Sequence, residues 1–169
     1  MTDKFHSYEP RKGHGLQHDP FNAIVGPRPI GWISSVSSAG QVNLAPYSFF
    51  NAFNYVPPII GFSSIGYKDT LRNIEQTGEF VWNLTTKSLA DAMNQTCAPV
   101  PPDINEFEIA KLTQLPSTRV KPPRVGESPV AHARRRPSGL LHGGTRATFQ
   151  NAQAAMNLNR HKDYSLIST

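Results

Sequence analysis

Apolar residues in this chain recur mostly in short alternating runs, the period of half-buried strands rather than of long helices. Ile30, Trp32, Ile33 and Val36 make the first run, Ser38, Ala39 and Gly40 supply turn residues, and Val42 and Leu44 restart the pattern, so a hairpin is predicted. Residues 48–50 follow, then a connection through Asn54, Tyr55 and Val56, and then a strand over 57–63 that Pro57 and Pro58 can start without interrupting. Asp69 or Thr70 is placed to cap a short helix carrying Leu71, Ile74 and Glu75, and Gly78 is placed to end it in a left-handed conformation. Residues 79–84 alternate toward strand, and residues 88–94 return to helical spacing through Leu89, Ala92 and Met93. Phe107, Ile109 and Leu112 predict one amphipathic turn, and residues 125–130 an edge strand. Many short strands with few helices predict a mainly β barrel with helical appendages.

The ends of the chain differ from this body. Residues 1–20 are polar, rich in His, Lys, Gly and Pro, and read as an arm ahead of one domain over 21–130. At Ala131 the composition breaks, and residues 131–162 contain no Val or Ile, a poor basis for barrel strands. The break is what a shifted or misassembled reading frame across about residues 131–160, followed by truncation, would produce, with the closing strands of a barrel lost after residue 130.

Charge follows the same division. Residues 1–128 hold eleven Lys or Arg and eleven Asp or Glu, whereas 129–169 hold six and one, so the net +5 lies in the basic tail. A nucleic-acid binder would carry its positive charge on an organised face of the folded body, so that class is a remote alternative. No apolar run is long enough to span a bilayer, and the first residues lack the apolar core of a secretory signal, which together predict a soluble, cytoplasmic protein. Cys97, the single cysteine, is read as a small buried apolar residue. His14 and His18 share i, i+4 spacing but lack a helical pattern and a third ligand, so no metal site is expected. His132, His142, His161 and the run Arg134–Arg136 are given no role.

The stretch from Arg28 to Leu84 resembles the flavin reductase-like family of FMN-binding split β-barrels with Greek-key topology, close to its flavoredoxin and monooxygenase reductase-component branch. The resemblance rests on Arg28-Pro29 opening the first barrel strand, on Asn43-Leu-Ala-Pro-Tyr-Ser-Phe49, and on Ser63-Ser64 followed by Lys68-Asp69-Thr70. It implies that the segment through Ser48, Phe49, Phe50 and Asn51 lies along the flavin, and that Ser63, Ser64, Lys68 and Thr70 receive the phosphate. That assignment suits the chemistry, because a phosphate monoester wants hydroxyl donors, a cation and the free N–H groups of a helix start. The simpler reading, in which Asp69 or Thr70 only caps and Lys68 is a solvated charge, stays open.

Side chains alternate along a strand, so Phe49 is expected to offer the flavin its backbone alone. Trp32 either stacks near the flavin, as the resemblance implies, or fills the barrel. Asn73 either steadies the phosphate loop or lies on an exposed helix face. The resemblance further implies hydride transfer from NAD(P)H to FMN, with electrons passing to an acceptor or a partner oxygenase, in a homodimer. A non-catalytic FMN electron carrier serving an electron-transfer protein is the alternative.

Overall fold

A computed structural model describes residues 5–135, 146–151 and 155–156. After a short helix, α1 (Pro20–Ile24), the predicted hairpin forms: β1 (Gly31–Val36) pairs antiparallel with β2 (Val42–Tyr47), setting Trp32 opposite Pro46 and Val36 opposite Val42. Gly40 takes a φ of +88° in the turn, a conformation that costs glycine little and most other residues much more.

At Ser48 and Phe49 the chain leaves β2 for β3 (Phe50–Tyr55), which folds back on β4 (Pro58–Ser64). The connection predicted at residues 54–56 is therefore mostly strand, since Asn54 and Tyr55 pair with Ile59 and Pro58. A register shift between Ala52 and Asn54 breaks the period-two pattern and hides the strand from sequence.

Helix α2 (Asp69–Thr77) ends as predicted at Gly78, left-handed with φ of +70°, its N–H bonded to the Ile74 carbonyl. The N-cap is Lys68 rather than Asp69 or Thr70, and no side chain caps the helix. Strand β5 (Glu79–Asn83) then pairs with β1, and α3 (Ala90–Gln95), α4 (Glu106–Ile109), β6 (Gln114–Leu115) and β7 (Arg124–Val125) follow. In place of an edge strand over 125–130, β7 pairs with β6, and a longer strand, β8 (Val130–Arg135), begins five residues on.

The region after residue 130 holds further corrections. Strand β8 pairs along β5 from Glu79↔Arg135 to Asn83↔Ala131, β9 (Arg146–Asn151) pairs along β4, and β10 (Ala155–Met156) pairs with β8. Strand ladders are made by backbone groups, and β4 and β5 both present edges whose N–H and C=O groups need partners, so pairing overrides the poor β-propensity of the tail. The result is two main sheets, ordered β10-β8-β5-β1-β2 and β3-β4-β9, the split-barrel fold.

Strand β1 is buried along its whole length because the larger sheet is covered on both faces. One face carries Ile33, Tyr47 and Phe80 against Phe50, Ile60 and Phe62 of the second sheet and Ile74 of α2. The other carries Trp32 and Leu44 against Leu89, Phe107 and Val125. Two serines sit in this buried strand and both are satisfied: Ser34 Oγ donates to the Pro123 carbonyl, and Ser35 Oγ accepts from Asn43 and Asn73.

Candidate functional site

A cavity of about 900 Å³ opens where the β3–β4 hairpin stands away from the ends of β1 and β5. Its core is aromatic. Phe50 of β3 and Trp82 of β5 stack with ring centroids 5.2 Å apart and planes 21° apart, and the Trp82 indole is oriented by donating to the Ile30 carbonyl at 3.2 Å. This pair gives its part of the wall an apolar, aromatic character.

The polar groups are few. Ser48 and Asn51 come from the passage into β3, with Asn51 Oδ1 accepting from the Ala52 N–H at 2.8 Å. Arg28 stands on the wall that precedes β1. Leu84, Thr85, Met93 and Cys97 also line it, and among the described residues the buried Thr85 hydroxyl has no hydrogen-bond partner. No Asp or Glu is among the described lining residues.

Of the residues singled out from sequence, Ser48, Phe50 and Asn51 line this cavity together. The others lie elsewhere. Trp32 is fully buried on the far face of the larger sheet and donates to Thr96 Oγ1, which makes it a core residue. Phe49 stacks on Phe21 at 6.3 Å outside the cavity, while its carbonyl accepts from the Ser63 N–H at 2.9 Å. Ser64 is buried and donates to the Gly66 carbonyl, shaping the turn before α2. Thr70 is buried and accepts from Asn43 Nδ2 at 2.8 Å. Asn73 is also buried, tied to Ser35 rather than lying on an exposed face. Ser63 is half-buried and Lys68 exposed, so these two members of the proposed phosphate set remain accessible.

Several lining residues were missed. Cys97 is exposed, not buried, because Thr96 takes the inward position at the end of α3 and leaves the next residue on the cavity wall. Burial of its surroundings pushes the thiol pKa up, and the positive charge of Lys68 draws it partly back. Trp82 was legible as the strand neighbour of Phe80 on one face. His132, edge-on to Trp82 at 5.5 Å, carried no signal, since its strand is formed by pairing with β5. His14 is engaged locally, its Nδ1 accepting from the Leu16 N–H.

With this geometry, the comparison with known proteins is direct. Residues 26–143 match the flavin reductase like domain, and the chain belongs to that family. An uncharacterized protein of Aquifex aeolicus is 42% identical over 113 residues, covering 64% of this chain and 58% of its own length. The uncharacterized protein YwrF of Bacillus subtilis is 35% identical over 113 residues, covering 64% and 55%. The chain thus spans between about half and three-fifths of the curated relatives it matches.

Among solved structures, nitrilotriacetate monooxygenase component B from Bacillus cereus superposes with a TM-score of 0.81 at 27% identity, covering 98% of this chain and 88% of that one. The 2-nitrobenzoate 2-nitroreductase NbaA of Pseudomonas fluorescens gives 0.70 at 30% identity, covering 82% and 71%. Flavoredoxin of Desulfovibrio vulgaris, at 20% identity and a TM-score of 0.69 over 83% and 75%, shares the fold. No helix among the described residues is long and apolar enough to cross a membrane.

Proposed function

We propose that this protein binds FMN and acts as a flavin reductase, with NAD(P)H as electron donor and either a small acceptor or a partner oxygenase as recipient. One observation carries the reading: in a member of the flavin reductase like family, a cavity with a stacked aromatic floor gathers Ser48, Phe50 and Asn51 from the segment assigned to the flavin. The residues fit the group. Phe50 and Trp82 would face the ring system, while Ser48 and Asn51 would meet its polar edge. Lys68 and Ser63 would take the phosphate, helped by the first-turn N–H groups of α2, which no side chain caps.

When bound, FMN supplies the hydride and electron chemistry itself. The chain's contribution is to orient the ring against Phe50 and Trp82, to exclude water with apolar walls, and to neutralise the phosphate. The likeness to a monooxygenase component B supports an oxygenase partner. Phe53, Tyr55 and Val56 are exposed on the β3–β4 hairpin, an apolar tip that suits burial against a second copy in a homodimer.

The test is titration of the purified protein with FMN and with riboflavin, beside a Lys68→Ala variant. FMN should bind saturably and the variant should bind it roughly tenfold or more weakly, with riboflavin affinity unchanged. A folded protein that binds neither flavin ends the proposal. Mixing the loaded protein with NADH or NADPH separates the alternatives, since a reductase is reduced within turnover time and a pure electron carrier is not.

A further inference from the structure

Helix α2 is tied to the larger sheet by side-chain amides as well as by apolar contact. Asn43 of β2 stands opposite Ser35 of β1, and its Nδ2 donates to Thr70 Oγ1 at 2.8 Å and to Ser35 Oγ at 3.4 Å. Asn73, three residues beyond Thr70 on the same face of α2, donates from its own Nδ2 to that Ser35 oxygen at 3.2 Å. All four side chains are buried. Hydrogen bonds are directional and gain strength in a low-dielectric interior, so a relay of this kind fixes where the helix sits more narrowly than apolar packing does.

The tied end of α2 is also the end that no side chain caps. Thr70 lies in the first turn, yet its hydroxyl is turned under the helix toward Asn43 and is not spent on the first-turn N–H groups. Tyr47 adds an independent observation. Its hydroxyl is buried beside those of Thr70 and Ser64 and completes no hydrogen bond with a described residue, so the underside of the turn carries a donor to spare. We propose that the relay Thr70–Asn43–Ser35–Asn73 is a positioning device for the phosphate end of the FMN site. It holds the first turn of α2 at a set depth on β1 and β2, and Thr70 acts through Asn43 rather than by touching the phosphate. The relay's role rests on the flavin reading and deepens it, because discrimination between FMN and riboflavin is assigned to side chains behind Ser63 and Lys68.

The experiment titrates the full chain with FMN and with riboflavin, which differ only in the phosphate. Wild type is compared with Thr70→Val, Thr70→Ser, Asn43→Ala and the Asn43→Ala/Thr70→Val double variant. Thr70→Val and Asn43→Ala should each weaken FMN roughly tenfold, the order of one charge-assisted hydrogen bond, and leave riboflavin affinity unchanged. Thr70→Ser keeps the hydroxyl and should keep the FMN affinity. The double variant should be no weaker than the weaker single variant, because the two side chains act as one unit. If Thr70 touched the phosphate itself, Asn43→Ala would bind FMN as the wild type does, which overturns the inference. Parallel loss of FMN and riboflavin, the result of a merely structural role, overturns it too. Should Asn43→Ala fail to fold, Ser35→Ala interrupts the relay one residue further back and carries the same expectation. A wild type that binds FMN no better than riboflavin sinks the phosphate reading and the relay's role together, whereas a wild-type preference that every variant keeps sinks the relay's role alone.

Discussion

The buried indole of Trp32 donates to Thr96 Oγ1 at 3.0 Å, and that hydroxyl donates onward to the Met93 carbonyl at 2.6 Å. Through this relay the core of the larger sheet fixes the end of α3, and with it Met93 and Cys97 on the cavity wall. Of the two places the sequence left open for Trp32, the structure puts it in the core, from where it positions one side of the cavity. Trp32→Phe keeps an aromatic ring but removes the donor, leaving the buried Thr96 oxygen without its incoming bond. A loss of about 1–3 kcal/mol in urea unfolding is expected, together with faster modification of Cys97 as the end of α3 loosens. Unchanged thiol reactivity in a destabilised variant would show that the relay serves the core and not the wall.

Gly31 is packed under Phe50. A Cβ placed there would come 2.6 Å from Phe50 Cδ2 and 2.9 Å from Phe50 Cβ, too close for the ring to stay where it stacks on Trp82. Gly31→Ala is therefore expected to cost about 1–3 kcal/mol of stability and to disturb the cavity floor. Near-ultraviolet circular dichroism, which senses the Phe50–Trp82 arrangement, should change alongside the urea midpoint. An unaltered aromatic signal would mean that the backbone yields and the stack does not depend on this close approach.

Glu106 is buried at the start of α4 and accepts the Leu44 N–H of β2 at 3.0 Å. Burial raises its pKa above the ordinary carboxyl value, with the charge of Asp69 adding to the rise. In the folded state the group therefore holds its proton to higher pH than in the unfolded chain, so its contribution is present below the unfolded pKa and is lost as pH climbs through the folded one. Wild-type stability should accordingly fall relative to Glu106→Gln as pH rises from about 4 to 7, the interval above the ordinary Glu pKa of about 4.3. Urea midpoints of both proteins at these two pH values provide the check, and a constant difference would remove Glu106 as the cause.

How much of this was legible in the chain depended on whether the information was local. The β1–β2 hairpin and the Gly78 stop are written in neighbouring residues and are found where the sequence places them, and Ser48, Phe50 and Asn51, neighbours in the chain, line one cavity. Strands β8 and β9 were illegible for the opposite reason, since small and basic residues there pair because β5 and β4 offer open edges. The seat of Arg28 was hidden too. Arg28 is held by the Asn22 and Val25 carbonyls and lies over the ring of Phe49, contacts that no motif reports. Thr70 and Ser64 show the converse, residues of a recognisable motif whose hydroxyls also serve turn geometry and packing.

Cys97 turns the cavity into something that can be measured without knowing its ligand. The thiol is exposed on the wall, and it is the single cysteine in the sequence, so one equivalent of a disulfide reagent should react per chain. Because partial desolvation by the cavity wall lifts its pKa, less thiolate is present near neutrality than for a free cysteine, and the thiolate is the attacking species. Labelling at pH 7.5 should therefore be slower than for a model thiol and should keep accelerating at pH values above about 8.5, the ordinary thiol value. A ligand that fills the cavity should protect the thiol in proportion to its occupancy. Protection by FMN would then report binding at this wall directly, whereas FMN binding by calorimetry with no protection would place the flavin at a different surface of the protein.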